Sequence, residues 1–374
     1  MAPLFEALVA AQDPAVLAPP EGGQLLGRVP LGRFDGLPVP PLGQRFGAGL
    51  DSRLFTDTSG LTPDNLVTPT DQFFVRTAAS AAHAARATAR IRVNGPQGFE
   101  VTPAELTAQA SPMGTHLLEC SGNSDPANFG LMSAAAWSGV PLRSLLDRAR
   151  APATSLVRVT GFDDTQQRSQ TSVAGAAWVF SREDLERAGA FLATSMNGEP
   201  LSPDHGFPVR LVVPGWYGCV CIKWVTTIDL VGADERPTSQ MLEFAERTHQ
   251  AGPGGAPTRA RDFQPASMDL AAIPIRVEHW QVGDSRLYRV VGVRWGGDTR
   301  GARLTIRFRH DERFVRVEQS PEPASHTLWS LWAHTWRPDA PGRYQIALGV
   351  ADPTIRTRRL DIYFYVREVQ IEEI

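Results

Sequence analysis

With 374 residues, 42% of them hydrophobic and 21% charged, the chain has material for two or three domains and is too apolar for global disorder. A formal net charge of -3 leaves no electrostatic footprint for nucleic acid. No run of about 18 apolar residues occurs, which excludes a spanning helix.

The first residues, MAPLFEALVAAQDP, carry Glu6 and Asp13 and lack both a basic leader region and a twin-arginine pair. They do not read as an export signal, so a cytoplasmic location is expected, with the periplasm as the alternative. Cys120, Cys219 and Cys221 are too few for a disulfide framework in a chain this long. No Cys-x-x-Cys-His attaches a haem, and no paired Cys-x-x-Cys holds zinc.

Residues 1–60 are rich in proline and glycine (APPEGG, GLPVPPLG) and read as an arm lying on a larger body. Over 61–250, strand-like and helix-like runs alternate: strands at 89–93, 117–120, 156–160 and 209–213, a helix at 141–149, and a polar helix at 243–250. This mixture predicts an α+β domain. A Gly/Pro stretch at 251–257 then leads into 265–374, where strands are expected at 275–281, 287–295, 303–310, 314–318, 328–336, 344–350 and 359–369. About seven short strands with almost no helix predict an Ig-like sandwich, and the absence of a Cys-Trp-Cys pattern excludes the disulfide-pinned antibody type.

Two segments concentrate reactive side chains. In Thr115-His-Leu-Leu-Glu-Cys-Ser-Gly-Asn-Ser124 a short apolar run delivers Cys120 to a turn, where loops at strand ends commonly carry function. A lone cysteine there reads as a nucleophile, a soft-metal ligand or a small buried hydrophobe, and on the residues alone the buried reading leads. In 195–224, His205, Arg210 and Lys223 surround an apolar strand, and backbone N–H groups at Gly215 and Gly218 could join them in holding a phosphate. The competing reading is a hairpin with surface charges. Of the 37 basic residues, 36 are arginine and Lys223 is the single lysine, which favours a site that needs a compact ammonium.

Other features have plainer readings. Cys219 and Cys221 share one face of any strand through 219–221 but read as core residues. His116 reads as a packed histidine, though it lies four residues from Cys120. Trp329, Trp332 and Trp336 read as filling a core or subunit interface.

The Cys-Ser-Gly-Asn turn, Asn-Gly-Glu-Pro-Leu, Asp-His-Gly-Phe-Pro-Val-Arg, Val-Val-Pro-Gly and the Lys-Trp pair, in that order, together resemble the sulfite oxidase family of molybdenum enzymes. Phe73-Phe74-Val75-Arg76 resembles that family's early Phe-x-Arg element. The likeness covers roughly 60–374. It implies a molybdopterin-binding α+β domain followed by an Ig-like dimerisation domain, hence a homodimer. It also implies molybdenum and one molybdopterin per chain, with Cys120 as the metal's thiolate ligand. Arg76 would contact cofactor and substrate. Phe74, His205, Arg210, Gly218 and Lys223 would hold the pterin, joined by an acidic residue at Asp163 or Asp164, of which Asp163 is taken here. The implied reaction is oxygen-atom transfer to sulfite, giving sulfate. With no haem domain expected in this chain, the electrons would pass to an external acceptor such as a cytochrome. No nucleic-acid or membrane partner is implied.

The sequence departs from that pattern in the pocket. Where the family places an arginine after the cysteine turn, this chain reads Ser124-Asp125-Pro126. Where another is expected between two tryptophans, it reads Trp329-Ser330-Leu331-Trp332. No tyrosine lies between Gly218 and Leu287, and Ala78 replaces a histidine. A buried doubly charged oxyanion needs compensating cations, so Arg168, Arg247 or Arg259 is expected to substitute and sulfite is expected to react slowly or bind weakly. Two alternatives stand beside this reading: the same cofactor acting on another sulfur compound, an S-oxide or nitrate, and a non-catalytic binding protein.

Overall fold

The structure is a computed structural model describing residues 12–33, 41–78, 90–124, 129–162, 176–248, 266–297, 301–323, 325–355, 357–358, 360 and 365–374. Strands dominate, and the four α-helices among the described residues are seven to ten residues long. Local signals set their ends. Thr102 and Glu105 form a reciprocal capping box at the start of Pro103–Gln109. Gly189, at φ 66°, closes Arg182–Ala188 in the left-handed conformation that suits glycine. None of the described helices is long and apolar enough to cross a membrane.

The middle of the chain builds two five-stranded sheets. One runs Ala177–Ser181, Leu156–Gly161, Val225–Val231, Ile91–Asn94, Phe99–Val101, with a single parallel pairing between Val225–Val231 and Ile91–Asn94. The other orders Glu199–Pro200, Phe191–Met196, Met132–Pro141 and Ser111–Glu119, with Arg210–Val212 also paired to Phe191–Met196. Its strands bury Leu117, Leu118, Trp137, Phe191 and Leu211. The expected strands at 156–160 and 209–213 and the helix at 141–149 therefore form, as Leu156–Gly161, Arg210–Val212 and Leu142–Arg148.

Beyond residue 270, two sheets face each other. Ala271–Val282, Ser285–Trp295 and Ser330–Trp336 form one; Val315–Arg316, Leu304–Arg307, Gly342–Val350 and Arg367–Ile371 form the other. Trp336 bridges them, stacked on Phe308 at 4.1 Å and edge-on to Tyr344 at 4.7 Å. Trp329 and Trp332 are buried too. Gly292 is required beneath Trp332, because a Cβ there would lie 2.0 Å from the indole. The expected strand 303–310 stops at Arg307, since Glu312 takes the N–H groups of Phe308 and Arg309 into a turn.

The N-terminal arm carries more β-structure than its composition suggests. Gly23–Val29 pairs with Ala271–Val282, and Leu31–Arg33 pairs with Arg367–Ile371, extending both C-terminal sheets. A buried charge cluster pins it: Glu278 accepts bonds from Arg276, Arg289 and Trp280, while Arg276 donates to the carbonyls of Ser59 and Leu61 and Arg289 to that of Ala18. Further along, Arg45–Ala48 and Asp51–Leu54 form a three-stranded sheet with Val75–Ala78. Strands added at sheet edges gain their partners from distant sequence, so proline and glycine between them mask the signal.

Candidate active site

The strand Ser111–Glu119 passes from an exposed start to a fully buried end, and Cys120 follows at its mouth, half-buried and outside any disulfide. Backbone bonds fix the turn: Cys120 N donates to Leu131 O at 2.9 Å and Asn123 N to Cys120 O at 2.8 Å. The buried Asn123 side chain closes the loop from inside. Its Oδ1 accepts from the N–H groups of Gly130 and Leu131, and its Nδ2 donates to Glu119. The helix Ser239–Thr248 packs on this turn and anchors Gln240 to Cys219 O, so the polar helix does border the site.

Glu119 is fully buried, and three groups surround its carboxyl. Trp295 Nε1 donates at 2.8 Å and Asn123 Nδ2 at 3.0 Å, and Arg358 pairs with it at 3.3 Å. Arg358 is equally buried and lies 4.6 Å from the centre of the Tyr217 ring. Two groups from the C-terminal third thus support the carboxylate next to Cys120. Gly218 sits on the same spot from another side. Its N–H donates to Glu119 O at 2.6 Å, so that group is spent inside the protein and is not the exposed anion donor expected of it. The reason is the tight turn at Tyr217–Cys221, closed by Val220 N–H to Tyr217 O and Cys221 N–H to Gly218 O, which turns the Gly218 N–H toward the strand before Cys120. That turn also takes Cys219 and Cys221 out of any strand. Burial pushes both thiols up, and they are core residues.

A cationic wall stands opposite. Phe73 and Phe74 are stacked at 5.3 Å, and Phe73 meets His205 edge-on at 5.2 Å. Phe74 N donates to Ser133 Oγ, which fixes the entry to Val75–Ala78. On that strand Arg76 is exposed and stands directly across from Arg53 on Asp51–Leu54. Lys223 Nζ donates to Thr77 Oγ1 at 2.7 Å, Asp204 O at 2.5 Å and Arg76 O at 3.3 Å, which uses all three donors of an ammonium. Gly161 lets the chain approach, since a Cβ there would fall 2.1 Å from Lys223 O. Asp204 pairs with Arg45 from the arm. Arg210 is buried, holds the carbonyls of His205 and Cys221, and keeps its Nε without a partner.

Burial, followed by Lys223 and less strongly Arg210, pushes His205 down to about 3 against the pull of Asp204. The imidazole is therefore neutral near pH 7. Its folded pKa lies below the unfolded value of about 6.5, so the unfolded chain binds the proton first. Stability is full above that value and lost as pH falls toward 3. Asp204, held below its ordinary range by Ser202, His205 and Arg45 although burial opposes them, acts in the same direction at lower pH. Between pH 7 and pH 5 the His205 share comes to about 2 kcal/mol. Urea unfolding of His205→Asn at the two pH values is expected to lose that slope.

The structure thus gathers Cys120, Phe74, Arg76, His205, Arg210, Gly218 and Lys223 around one region. Asp163, Asp164, Asp125, Arg168 and Arg259, and the side chain of Arg247, lie outside the described residues. His116 is not directed at Cys120: its ring nitrogens engage Thr327 Oγ1 and Met113 O. Sequence reading missed Arg45, Arg53, Asp204, Glu119 and Arg358. Only Glu119 left a trace, as a charge inside an otherwise apolar run.

The donor set limits what the site can hold. Among the described residues no group of three His, Cys, Asp or Glu side chains could cage a metal ion. A single half-buried thiol beside several cations fits a metal that arrives already chelated by an anionic organic ligand, and the orphaned Nε of buried Arg210 is a donor still to be satisfied.

Comparison with known proteins bears on that ligand. A family described as "Oxidoreductase molybdopterin binding domain" matches residues 79–239. Sulfite oxidase of Gallus gallus is 25% identical over 328 residues, 78% of this chain and 68% of that protein. Mitochondrial sulfite oxidase of Rattus norvegicus is 25% identical over 308 residues, 73% of this chain and 54% of its own. An inducible nitrate reductase of Glycine max is 38% identical over 104 residues, but this covers only 11% of that enzyme. The chain therefore spans about two thirds, half and a tenth of these relatives. The crystal structure of the sulfane dehydrogenase SoxCD from Paracoccus pantotrophus shares the fold, with a TM-score of 0.63, 18% identity, and coverage of 89% of this chain and 91% of that one.

Proposed function

The chain belongs to the sulfite oxidase family of molybdopterin oxidoreductases, and from that premise we propose that it oxidises sulfite to sulfate by oxygen-atom transfer. The observation that carries this reading is Cys120, the one thiol not packed into the core, near Arg53 and Lys223, with no group of three His, Cys, Asp or Glu side chains among the described residues that could cage a metal by itself. Cys120 would supply the protein's ligand to molybdenum. Phe74, His205, Arg210 and Lys223 would hold the pterin, with Asp163 or Asp164 as a further contact. When bound, that group supplies two-electron redox chemistry coupled to oxygen-atom transfer.

The chain's own residues bind and orient. Arg76, exposed at the site, meets the incoming oxyanion. Neutral His205, already bonded to the Thr70 backbone, borders the cofactor site without adding charge. Sulfite and water give sulfate, two protons and two electrons, and the electrons leave to an external acceptor such as a cytochrome. Turnover is expected to be slow or sulfite to bind weakly, because position 125 is aspartate and Ser330, between the two tryptophans, is buried. Residues 61–250 are assigned to the pterin-binding unit and 265–374 to an Ig-like sandwich through which two copies pair; the facing sheets bridged by Trp336 support the sandwich.

The test is metal analysis of protein made in a host that synthesises the cofactor, together with a sulfite and ferricyanide assay. One molybdenum and one pterin per chain with sulfite-dependent reduction are expected. Protein that stays free of molybdenum overturns the reading, and turnover of an S-oxide or nitrate in place of sulfite moves the substrate. Light scattering is expected to give twice the 40.7 kDa chain mass.

A further inference from the structure

In the three-stranded sheet Arg45–Ala48, Asp51–Leu54, Val75–Ala78, the last two strands alternate while the first is exposed throughout. Ser52, Leu54, Val75 and Thr77 are buried, while Arg53 is half-buried and Arg76 exposed on the opposite face. Arg53 and Arg76 are direct antiparallel partners. Like charges directly opposite each other on a sheet repel and destabilise it. Among the described residues neither forms an ion pair. Asp51, two residues before Arg53, offsets the repulsion in part. The arm nevertheless holds Arg53 firmly in this position: its Nη1 donates to Thr77 O at 2.9 Å and to Ser52 O at 3.1 Å. A cation fixed by backbone carbonyls against a second cation is arranged for an anion that sits between them.

The sheet is joined to the cysteine turn. Thr56, just beyond the Asp51–Leu54 strand, donates its N–H to Gly130 O and bonds Ser133 Oγ, and the neighbouring Leu131 accepts from Cys120 N. Lys223 is bonded to the same Val75–Ala78 strand through Arg76 O and Thr77 Oγ1.

We propose that Arg53, contributed by the N-terminal arm, is a substrate-binding arginine that acts with Arg76 to grip the oxyanion beside Cys120. This rests on the reading of Cys120 as the reaction centre. It also replaces the expectation that Arg168, Arg247 or Arg259 supplies the second cation. Two adjacent guanidinium groups select a multiply charged oxyanion over a neutral S-oxide of similar size.

The test uses the molybdenum-loaded protein with Arg53→Gln and Arg53→Lys. Sulfite KM and kcat are measured with ferricyanide, alongside the sulfate dissociation constant from tryptophan fluorescence without turnover, molybdenum content and thermal midpoint. For Arg53→Gln, KM and the sulfate constant are expected to rise about tenfold, with kcat within threefold, metal content unchanged, and a midpoint equal or higher because repulsion is relieved. Arg53→Lys should recover part of the loss. Changes below fivefold in both constants overturn the proposal, as does a wild type that binds no sulfate. A fall in metal content makes Arg53 a cofactor holder, and a lower midpoint makes it a structural clamp; either also overturns it. Absence of molybdenum or sulfite turnover in the wild type defeats the proposed function instead, while the sulfate measurement still decides the role of Arg53.

Discussion

Replacing Cys120 by serine is expected to abolish sulfite oxidation and to leave the fold and its thermal unfolding essentially unchanged. The backbone bonds that shape the turn, Cys120 N to Leu131 O and Asn123 N to Cys120 O, do not involve the side chain and survive the change. The thiol is half-buried, so exchange for a hydroxyl opens no large cavity, and substitutions of this kind usually alter stability by about 0.5 kcal/mol or less. The chemical loss is of another order. Oxygen is a hard donor where the site offers a soft, readily ionised sulfur, and the expected drop exceeds the ~10–100-fold typical of changes behind a metal's own ligands. The matched control is Cys219→Ser, since Cys219 is core and burial holds its thiol protonated; it should retain activity. Ferricyanide assays, molybdenum content and melting curves on the two proteins check the contrast. Full activity in Cys120→Ser removes Cys120 from the mechanism.

Much of this site was legible because its members cluster in sequence. Cys120 closes a short apolar run, and His205, Arg210 and Lys223 flank one strand, so strand periodicity and turn residues were enough to bring them to notice. Most of the C-terminal strands were legible for the same reason, although 314–318 shrinks to Val315–Arg316 and the described part of 359–369 is a strand only from Arg367. What stayed hidden depends on distant pairing. Arg53 has meaning only once Asp51–Leu54 lies in register with Val75–Ala78, and the Pro/Gly-rich arm gave no strand signal there. Gly218 looked like an exposed donor because nothing local reveals that its N–H meets Glu119 O. Cys219 and Cys221 were assigned to the core correctly, but the turn Tyr217–Cys221 that carries them was not recognised. Glu119 was visible as an anomaly, but its partners, Trp295 and Arg358, are supplied by the C-terminal third.

That pairing sets the second large effect. Replacing Arg358 by methionine is expected to destabilise the protein by about 3–5 kcal/mol, because it leaves the Glu119 carboxylate buried without its counter-charge. Glu119→Gln is expected to cost a similar amount for the reciprocal reason, even though the amide can still bond Trp295 or Asn123. Both residues are fully buried, so solvent cannot screen whichever charge remains. The double replacement should recover much of the loss, since two neutral side chains of comparable size no longer need each other. If the pair served stability alone, the double variant would load molybdenum normally. Glu119 also carries the carboxylate that holds Asn123, whose side chain closes the loop around Cys120 from inside. The double variant is therefore expected to fold, melt close to the wild type and bind less metal. Melting midpoints and molybdenum content of the three variants, compared as a cycle, separate the two roles. A double variant with normal metal content confines the pair to stability, and single variants as stable as the wild type refute the buried ion pair itself.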